Sequence, residues 1–396
     1  MKVAIIGYGV VGSGVYEILK QNHSGIEKRA GQSIDVKYVL DIRDFPDHPE
    51  KDIFVKDFNI ILDDPEVELV VETMGGVRFA YDYTKNALLK GKSVVTSNKE
   101  LVAQHGHEFF EIAREKNCRY LFEASVGGGI PVIRPLARCL AANEIEDITG
   151  IINGTTNYIL TKMFMAGESY EAALSQAQAL GYAEKDPTAD VDGIDVCRKI
   201  AILASMTLGK KVDCELIPTS GIRNITDEDV ACAERMQCSI KLVGSARFKD
   251  GKAGVFVSPM MIPWDNPLSR IDDVYNGILA EGNMVGQVMF YGKGAGKLPT
   301  ASAVVGDIVD AARSKDYSGE FSWVKTDEAV TFDPAEIETP FFVRVKEGSL
   351  AETKERLGAV REYGGVCLET PAMSENEINR RLSDMDAVVS VMRIYR

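Results

Sequence analysis

The sequence predicts an α/β protein: a parallel-sheet domain first, an α+β domain after it, and a small module at the C terminus. Three observations carry this. Over the first 130 residues short apolar runs alternate with segments of helical periodicity, the pattern of a parallel sheet with crossover helices. A glycine-rich turn, Gly7-Tyr8-Gly9-Val10-Val11-Gly12, joins the first apolar run to the first helical one. From about Pro131 the pattern changes to helices followed by hairpin signals, notably Lys249-Asp250-Gly251-Lys252 between two apolar runs.

In order, residues 2–6, 35–40, 68–72, 93–96 and 119–123 read as strands, and 10–21, 78–90 and 100–116 as helices. They make up the first domain, residues 1–130. In the second domain, residues 131–320, a strand is expected at 145–153 and helices near 157–165 and 170–180. One long helix should run from about 190 to 208. Strands 239–248 and 253–261 flank the Lys-Asp-Gly-Lys turn, and 278–281 and 285–291 flank Gly282-Asn283, giving an antiparallel sheet. The segment 292–313 ends in an amphipathic helix, 300–313, expected to return to the first domain. After a polar stretch near 314–338, residues 340–396 read strand, helix, strand, helix, strand (βαβαβ).

A chain of 396 residues suits two or three domains. A net charge of -14 and a pI near 5.0 argue against nucleic-acid or anionic-membrane partners. Seven cysteines (118, 139, 197, 214, 232, 238, 367) form no CxxC pair, so reduced thiols in a cytoplasmic protein are expected. The N-terminal residues lack the layout of a signal peptide, and no apolar run is long enough to cross a membrane.

The glycine turn follows a strand and opens a helix, the setting in which GxGxxG holds a dinucleotide. Gly7 permits the turn, Gly9 lets backbone approach a pyrophosphate, and Gly12 lets helix and strand pack closely, while the helix N terminus offers N–H groups to phosphate. The first domain is thus a Rossmann domain for NAD or NADP. An acid at the end of the second strand would hold the ribose hydroxyls of NAD, and an arginine the 2′-phosphate of NADP. Val39–Asp44 carries both Asp41 and Arg43, so both cofactors stay open.

Hydride transfer to a carbonyl leaves an alkoxide that must be stabilised and protonated. The four histidines (23, 48, 105, 107) all lie in the first domain, so a histidine acid would have to come from outside the second, and lysine is the next candidate. In Gly181–Ala204, Asp195 and Lys199 are four apart on one helix face, with Glu184, Asp186, Asp190 and Asp192 around the helix entry. Such carboxylates could hold a substrate ammonium group while the lysine works on the carbonyl. Spacing alone equally fits an ordinary ion pair worth about 0.2–0.5 kcal/mol.

With these residues in view, the chain resembles the homoserine dehydrogenases. Gly181–Lys199 (GYAEKDPTADVDGIDVCRK) is similar to the family's signature segment. VVTSNKE (94–100), EASVGGGIP (123–131), GIINGTTNYIL (150–160) and GKGAGKLPTASAVVGDIVDAAR (292–313) match further family blocks in order, so the resemblance covers roughly residues 1–320. It implies reversible reduction of L-aspartate 4-semialdehyde to L-homoserine, in threonine and methionine biosynthesis, with NADH or NADPH. Lys199 would be the proton donor, Lys99 its partner in polarising and positioning, and Asp195 the group that orients Lys199 or the substrate. Glu184 and Asp190 would meet the substrate amino group, with Tyr182, Gly154 and Thr155 lining the pocket. Thr73, Gly75, Ser97 and Lys99 would contact the cofactor, together with Gly7, Gly9, Val10, Val11, Gly12 and Arg43. The resemblance also implies a monovalent cation, Na+ or K+, on backbone carbonyls of Glu123, Val126, Gly128 and Ile130. A homodimer or higher oligomer through the second domain is implied as well.

The C-terminal module stands where many members carry a regulatory ACT domain. Lys346–Glu352 (KEGSLAE) matches that domain's D-x-P-G-V-L-A loop at Gly348, Leu350 and Ala351 but lacks its aspartate and proline. A degenerate ACT-like module is the expectation. Two rival enzymes fit less well. Tyr81-x-x-x-Lys85 has the short-chain dehydrogenase spacing, yet it falls on an early crossover helix. Aspartate-semialdehyde dehydrogenase would need a thiolate nucleophile and phosphate. A catalytically silent dinucleotide sensor would have no use for two lysines within a ring of carboxylates.

Overall fold

Six parallel strands, β1 (Lys2–Ile6), β2 (Asp35–Leu40), β3 (Phe54–Val55), β4 (Val67–Glu72), β5 (Ser93–Thr96) and β6 (Tyr120–Leu121), pair in the order β3-β2-β1-β4-β5-β6. The computed structural model describes residues 1–396 apart from 315, 318, 359, 360 and 396. Val3–Ile6 and Leu69–Val71 are wholly buried, as helices on both faces of a parallel sheet require. The strand order reverses between β1 and β4, which opens a crevice beyond their C-terminal ends. Thr73 ties its two lips together, donating from N to the Ile6 carbonyl (3.0 Å) and from Oγ1 to the Gly7 carbonyl (2.8 Å). A Cβ on Gly12 would lie 1.9 Å from the Gly7 carbonyl oxygen, so the helix Val10–Gln21 can approach this turn only with glycine there.

The second sheet has nine strands. An antiparallel run, β11-β10-β7-β8-β9, is built from β7 (Ile145–Ile151), β8 (Cys238–Lys249), β9 (Lys252–Pro263), β10 (Tyr275–Gly282) and β11 (Gly286–Lys293). Asp250 and Gly251 both have positive φ (52° and 71°), the conformation of a two-residue hairpin turn with primed geometry. The expected helix 190–208 is two helices, Thr188–Val191 and Ile194–Leu208, because Gly193 between them adopts φ 83°. Helix Ile194–Leu208 packs on this sheet, with Val196 and Ile200 over Gly244 of β8, and also against the helix Lys99–Lys116 of the first sheet. It is therefore the joint between the two halves. Lys297–Arg313 runs beside Val10–Gln21, where Gly14 makes room for Ala301 and Lys297 pairs with Glu17 at 2.6 Å. The polar stretch that follows buries Trp323 against Phe110 and Phe122, with Gly106 beneath its ring.

The C-terminal module departs from the expected βαβαβ. Its strands are β12 (Phe341–Val345), β13 (Arg361–Tyr363), β14 (Cys367–Glu369) and β15 (Val388–Ile394), with helices Leu350–Leu357 and Glu375–Leu382, a βαββαβ order. Hidden from the hydrophobic pattern was β13: three largely exposed residues, Arg-Glu-Tyr, carry no apolar run. The module continues the second sheet, since β15 pairs in parallel with β9 (Arg393 opposite Met260, Ile394 opposite Met261). Arg344 bonds Asp229 at 2.8 Å across the same seam. A disulfide joins Cys232 of the helix Asp227–Arg235 to Cys367 of β14, Cα atoms 6.4 Å apart, which corrects the expectation that all seven cysteines stay reduced. Partners 135 residues apart leave no local spacing signal. Among the described residues no helix is long and apolar enough to cross a membrane.

Candidate active site

A cavity of about 710 Å³ opens between the two sheets, lined from the first by Val11, Ser97 and Lys99 and from the second by Asn153–Thr155, Tyr182, Glu184, Asp190, Asp195 and Lys199. Its remaining wall includes Ser125, Gly128 and the segment Lys293–Gly296. At its centre is Asp195, in the first turn of the helix Ile194–Leu208 and buried. Its Oδ2 accepts from Lys199 Nζ at 2.7 Å, one turn along the helix, and its Oδ1 meets the Lys99 ammonium. Burial opposes ionisation of Asp195, yet the ammonium groups of Lys199 and Lys99 hold its carboxyl well below the usual carboxylate range. Burial likewise pulls Lys199 below an ordinary lysine, against the attraction of Asp195. Lys199 also donates to the Ile152 carbonyl (2.6 Å), so two of its three N–H donors are spoken for and one remains for an oxygen in the cavity.

Lys99 is delivered by a capped helix start. The Asn98 side chain accepts from Leu101 N at 3.1 Å, which places Lys99 at the first helical position and aims it across the crevice. Asp190 comes from the other side of the Gly193 break. Burial raises its carboxyl, and Asp195 beside it adds to the rise. Asn153, which the sequence reading passed over, holds both acids: its Nδ2 donates to Asp190 Oδ1 (2.7 Å) and to Asp195 Oδ2 (2.9 Å), while its Oδ1 caps the helix Gly154–Ala166 through Thr156 N (2.9 Å). The signal was an asparagine at the junction of an apolar strand and a glycine-led helix, within a block already singled out.

Tyr182 and Glu184 reach the cavity from an exposed loop that Thr155 tethers by donating to the Tyr182 carbonyl at 2.6 Å. Gly154 meets the Val274 carbonyl closely enough that a Cβ would sit 3.0 Å from it. Two of the massed carboxylates go elsewhere: Asp186 caps Thr188, and Asp192 pairs with Arg223 at 2.5 Å. The Glu123 carboxylate is occupied, accepting from the amides of Val132, Ile133 and Arg134 at 2.6–2.9 Å, so only its backbone carbonyl could serve a cation. Among the described residues no cluster of three or more His, Cys, Asp or Glu could hold a metal ion. Tyr81 and Lys85 pair with Glu108 and are absent from the cavity wall, which removes the short-chain dehydrogenase reading.

The glycine turn suits a dinucleotide. No side chain caps the helix Val10–Gln21, so its first N–H groups are open, and the space beside Gly9 is clear for 4 Å. At the end of β2, Arg43 folds onto Asp41 with contacts of 2.8–2.9 Å and also donates to the Tyr8 carbonyl, while Asp41 accepts from Tyr8 N. The hydrogen bonds from Arg43, outweighing burial, hold the Asp41 carboxyl below its ordinary range. The charges of Asp41 and Arg43 therefore neutralise each other here.

Family models describing homoserine dehydrogenase match residues 131–309, and its NAD-binding domain matches residues 7–123. The homoserine dehydrogenase of Bacillus subtilis is 41% identical over 313 residues, 78% of this chain and 72% of that one. This chain belongs to the homoserine dehydrogenase family. The Corynebacterium glutamicum homoserine dehydrogenase is 36% identical over 394 residues, 96% of this chain and 87% of its own. A crystal structure of a homoserine dehydrogenase from Thiobacillus denitrificans superposes with a TM-score of 0.90 at 34% identity, covering 100% of this chain and 98% of that one. A hyperthermophilic archaeal homoserine dehydrogenase in complex with NADPH superposes at 0.66 with 28% identity, over 78% and 97%. The protein is thus an NAD(P)-dependent homoserine dehydrogenase, an oxidoreductase that interconverts L-aspartate 4-semialdehyde and L-homoserine.

Asn153→Ala should lower kcat/KM by about 10–100-fold, the loss of two hydrogen bonds to charged acceptors. Steady-state kinetics with either substrate checks this, and a loss under threefold would show that Asp190 and Asp195 hold their places unaided.

Proposed function

We propose that homoserine dehydrogenase chemistry in this chain runs on the Lys199–Asp195–Lys99 unit. The observation that carries the reading is one buried carboxylate shared by two ammonium groups on the wall of the interdomain cavity. Bound NADH or NADPH would supply the hydride. Lys199, with its one uncommitted N–H, protonates the nascent alkoxide oxygen, and Lys99 polarises the carbonyl from across the crevice. The two ammonium groups stand where negative charge develops. Glu184 and Asp190 bind the substrate ammonium group, Tyr182 with Gly154 and Thr155 shapes the pocket, and Asn153 holds half-buried Asp190 and buried Asp195 on one amide nitrogen.

Residues 1–130, with the helix Lys297–Arg313 packed against them, hold the cofactor through Gly7–Gly12, Thr73, Gly75, Ser97 and Lys99. NAD and NADP are separated by whether Asp41 or Arg43 is released from their mutual pair, so Arg43→Ala should weaken NADPH selectively. Residues 131–320 carry the substrate site, and the carbonyls of Glu123, Val126, Gly128 and Ile130 hold Na+ or K+, a site that a rate indifferent to both ions would refute. Residues 340–396 form a degenerate ACT-like module. Its βαββαβ order and the positive φ of Gly348 support this, and strong inhibition by threonine that deletion of 340–396 abolishes would contradict it. Assembly as a homodimer or higher oligomer in the cytoplasm completes the proposal.

Lys199→Ala should reduce turnover by roughly 10²-fold or more while leaving cofactor affinity nearly unchanged. In the wild type, reduction needs the ammonium and should fade as pH rises through the Lys199 pKa, below the usual lysine range. Oxidation needs the free amine and should gain over the same interval. Near-normal turnover in the alanine variant, or the same pH trend in both directions, would overturn the assignment.

A further inference from the structure

Glu72 ends β4 at the crevice, is wholly buried, and takes no part in the proton path above. Its carboxylate accepts at both ends. Oε1 receives Met74 N at 2.7 Å, and Oε2 receives the Thr96 hydroxyl at 2.5 Å. The same hydroxyl accepts from Asn98 N at 2.9 Å, and Asn98 Nδ2 donates to the Gly76 carbonyl at 2.7 Å. A closed circuit therefore runs from the loop after β4, through Glu72 and Thr96, to the turn whose asparagine caps the Lys99 helix, and back to the loop. A buried carboxylate at the end of a central parallel strand is costly, and a valine like its neighbours would fill the place without that cost. What a valine could not do is accept from loop and turn together.

We propose that Glu72 is a positioning residue that locks the cofactor-facing loop Thr73–Gly76 to the turn carrying Lys99, so that one carboxylate sets cofactor docking and lysine placement together. The lysine half of this rests on the reading of Lys99 as an active-site group, and the cofactor half does not. Burial pushes the Glu72 carboxyl up to about 7, against the hydrogen bonds from Thr96 and Met74 N. Among the described residues Tyr120 of β6 feels this charge, its phenol raised by its own burial and by Glu72. Protonation turns an accepting oxygen into a donor, so the lock loosens as pH falls through neutrality.

Glu72→Gln keeps the shape and replaces one acceptor with a donor, and Thr96→Val removes the relaying hydroxyl. NADH, which lacks a titrating 2′-phosphate, serves as the probe: its fluorescence reads affinity from about pH 6 to about pH 9, beside kcat and Tm. Wild-type affinity should weaken several-fold toward the acid end. Glu72→Gln should bind NADH roughly tenfold more weakly at alkaline pH, lose that pH response and lower kcat, the scale of one bond to a charged group. Thr96→Val should lower kcat, and the double variant should lose no more than the worse single one. Wild-type NADH affinity and kcat in Glu72→Gln, or a lowered Tm as its only defect, would overturn the proposal. Should that variant not fold, unchanged kcat in Thr96→Val does so. Lys199→Ala, measured alongside, separates the two readings: its normal turnover would fault the lysine mechanism, while NADH affinity in Glu72→Gln still judges the lock.

Discussion

The Asp195 carboxylate, buried between the ammonium groups of Lys99 and Lys199, is the contact on which both halves of the molecule converge. Burying an unpaired carboxylate is costly, and removing one partner of a buried pair costs about 3–5 kcal/mol. The charge is tolerable because three elements bring it partners. Lys199 arrives one helical turn away, Asn153 comes from the end of β7, and Lys99 is carried across from the first sheet on its capped helix. The cluster is therefore complete only when the two sheets are docked. The same charges act on one another: the two ammonium groups hold the Asp195 carboxyl low, and burial draws Lys199 below an ordinary lysine against the pull of Asp195.

A second arrangement works on the cofactor side. Thr73 and Gly12 draw the lips of the crevice together, while Glu72 and Asn98 connect the loop after β4 to the lysine turn. Glu72 places a carboxylate where sheet packing alone would select an apolar side chain.

The parallel sheet was readable because strands buried on both faces write themselves as apolar runs, as in Val3–Ile6 and Leu69–Val71. Short elements were not: β3 is two residues long and β13 three, below what a period of two can reveal. The helix expected across 190–208 concealed its break because the apolar spacing continues through it, and only the positive φ of Gly193 separates Asp190 from Asp195. At the site, residue types and spacing pointed to Lys199 and Asp195, whereas the Lys99 contact comes from a residue 96 positions earlier, brought near by packing. Asn153 and Glu72 went unnoticed because their importance lies in what they join. The Cys232–Cys367 bond and the β15–β9 pairing fuse the C-terminal module to the substrate sheet, a connection that reading the module as a separate unit could not reveal.

The most direct test of the shared carboxylate is the pH at which reduction of the semialdehyde declines, measured for the wild type and for Asp195→Asn. With the largest counter-charge gone and Asp190 alone opposing burial, Lys199 should lose its proton more readily, and the decline should move to lower pH by about a unit or more. A decline at the same pH, or at a higher one, would mean that Asp195 does not govern the lysine that delivers the proton.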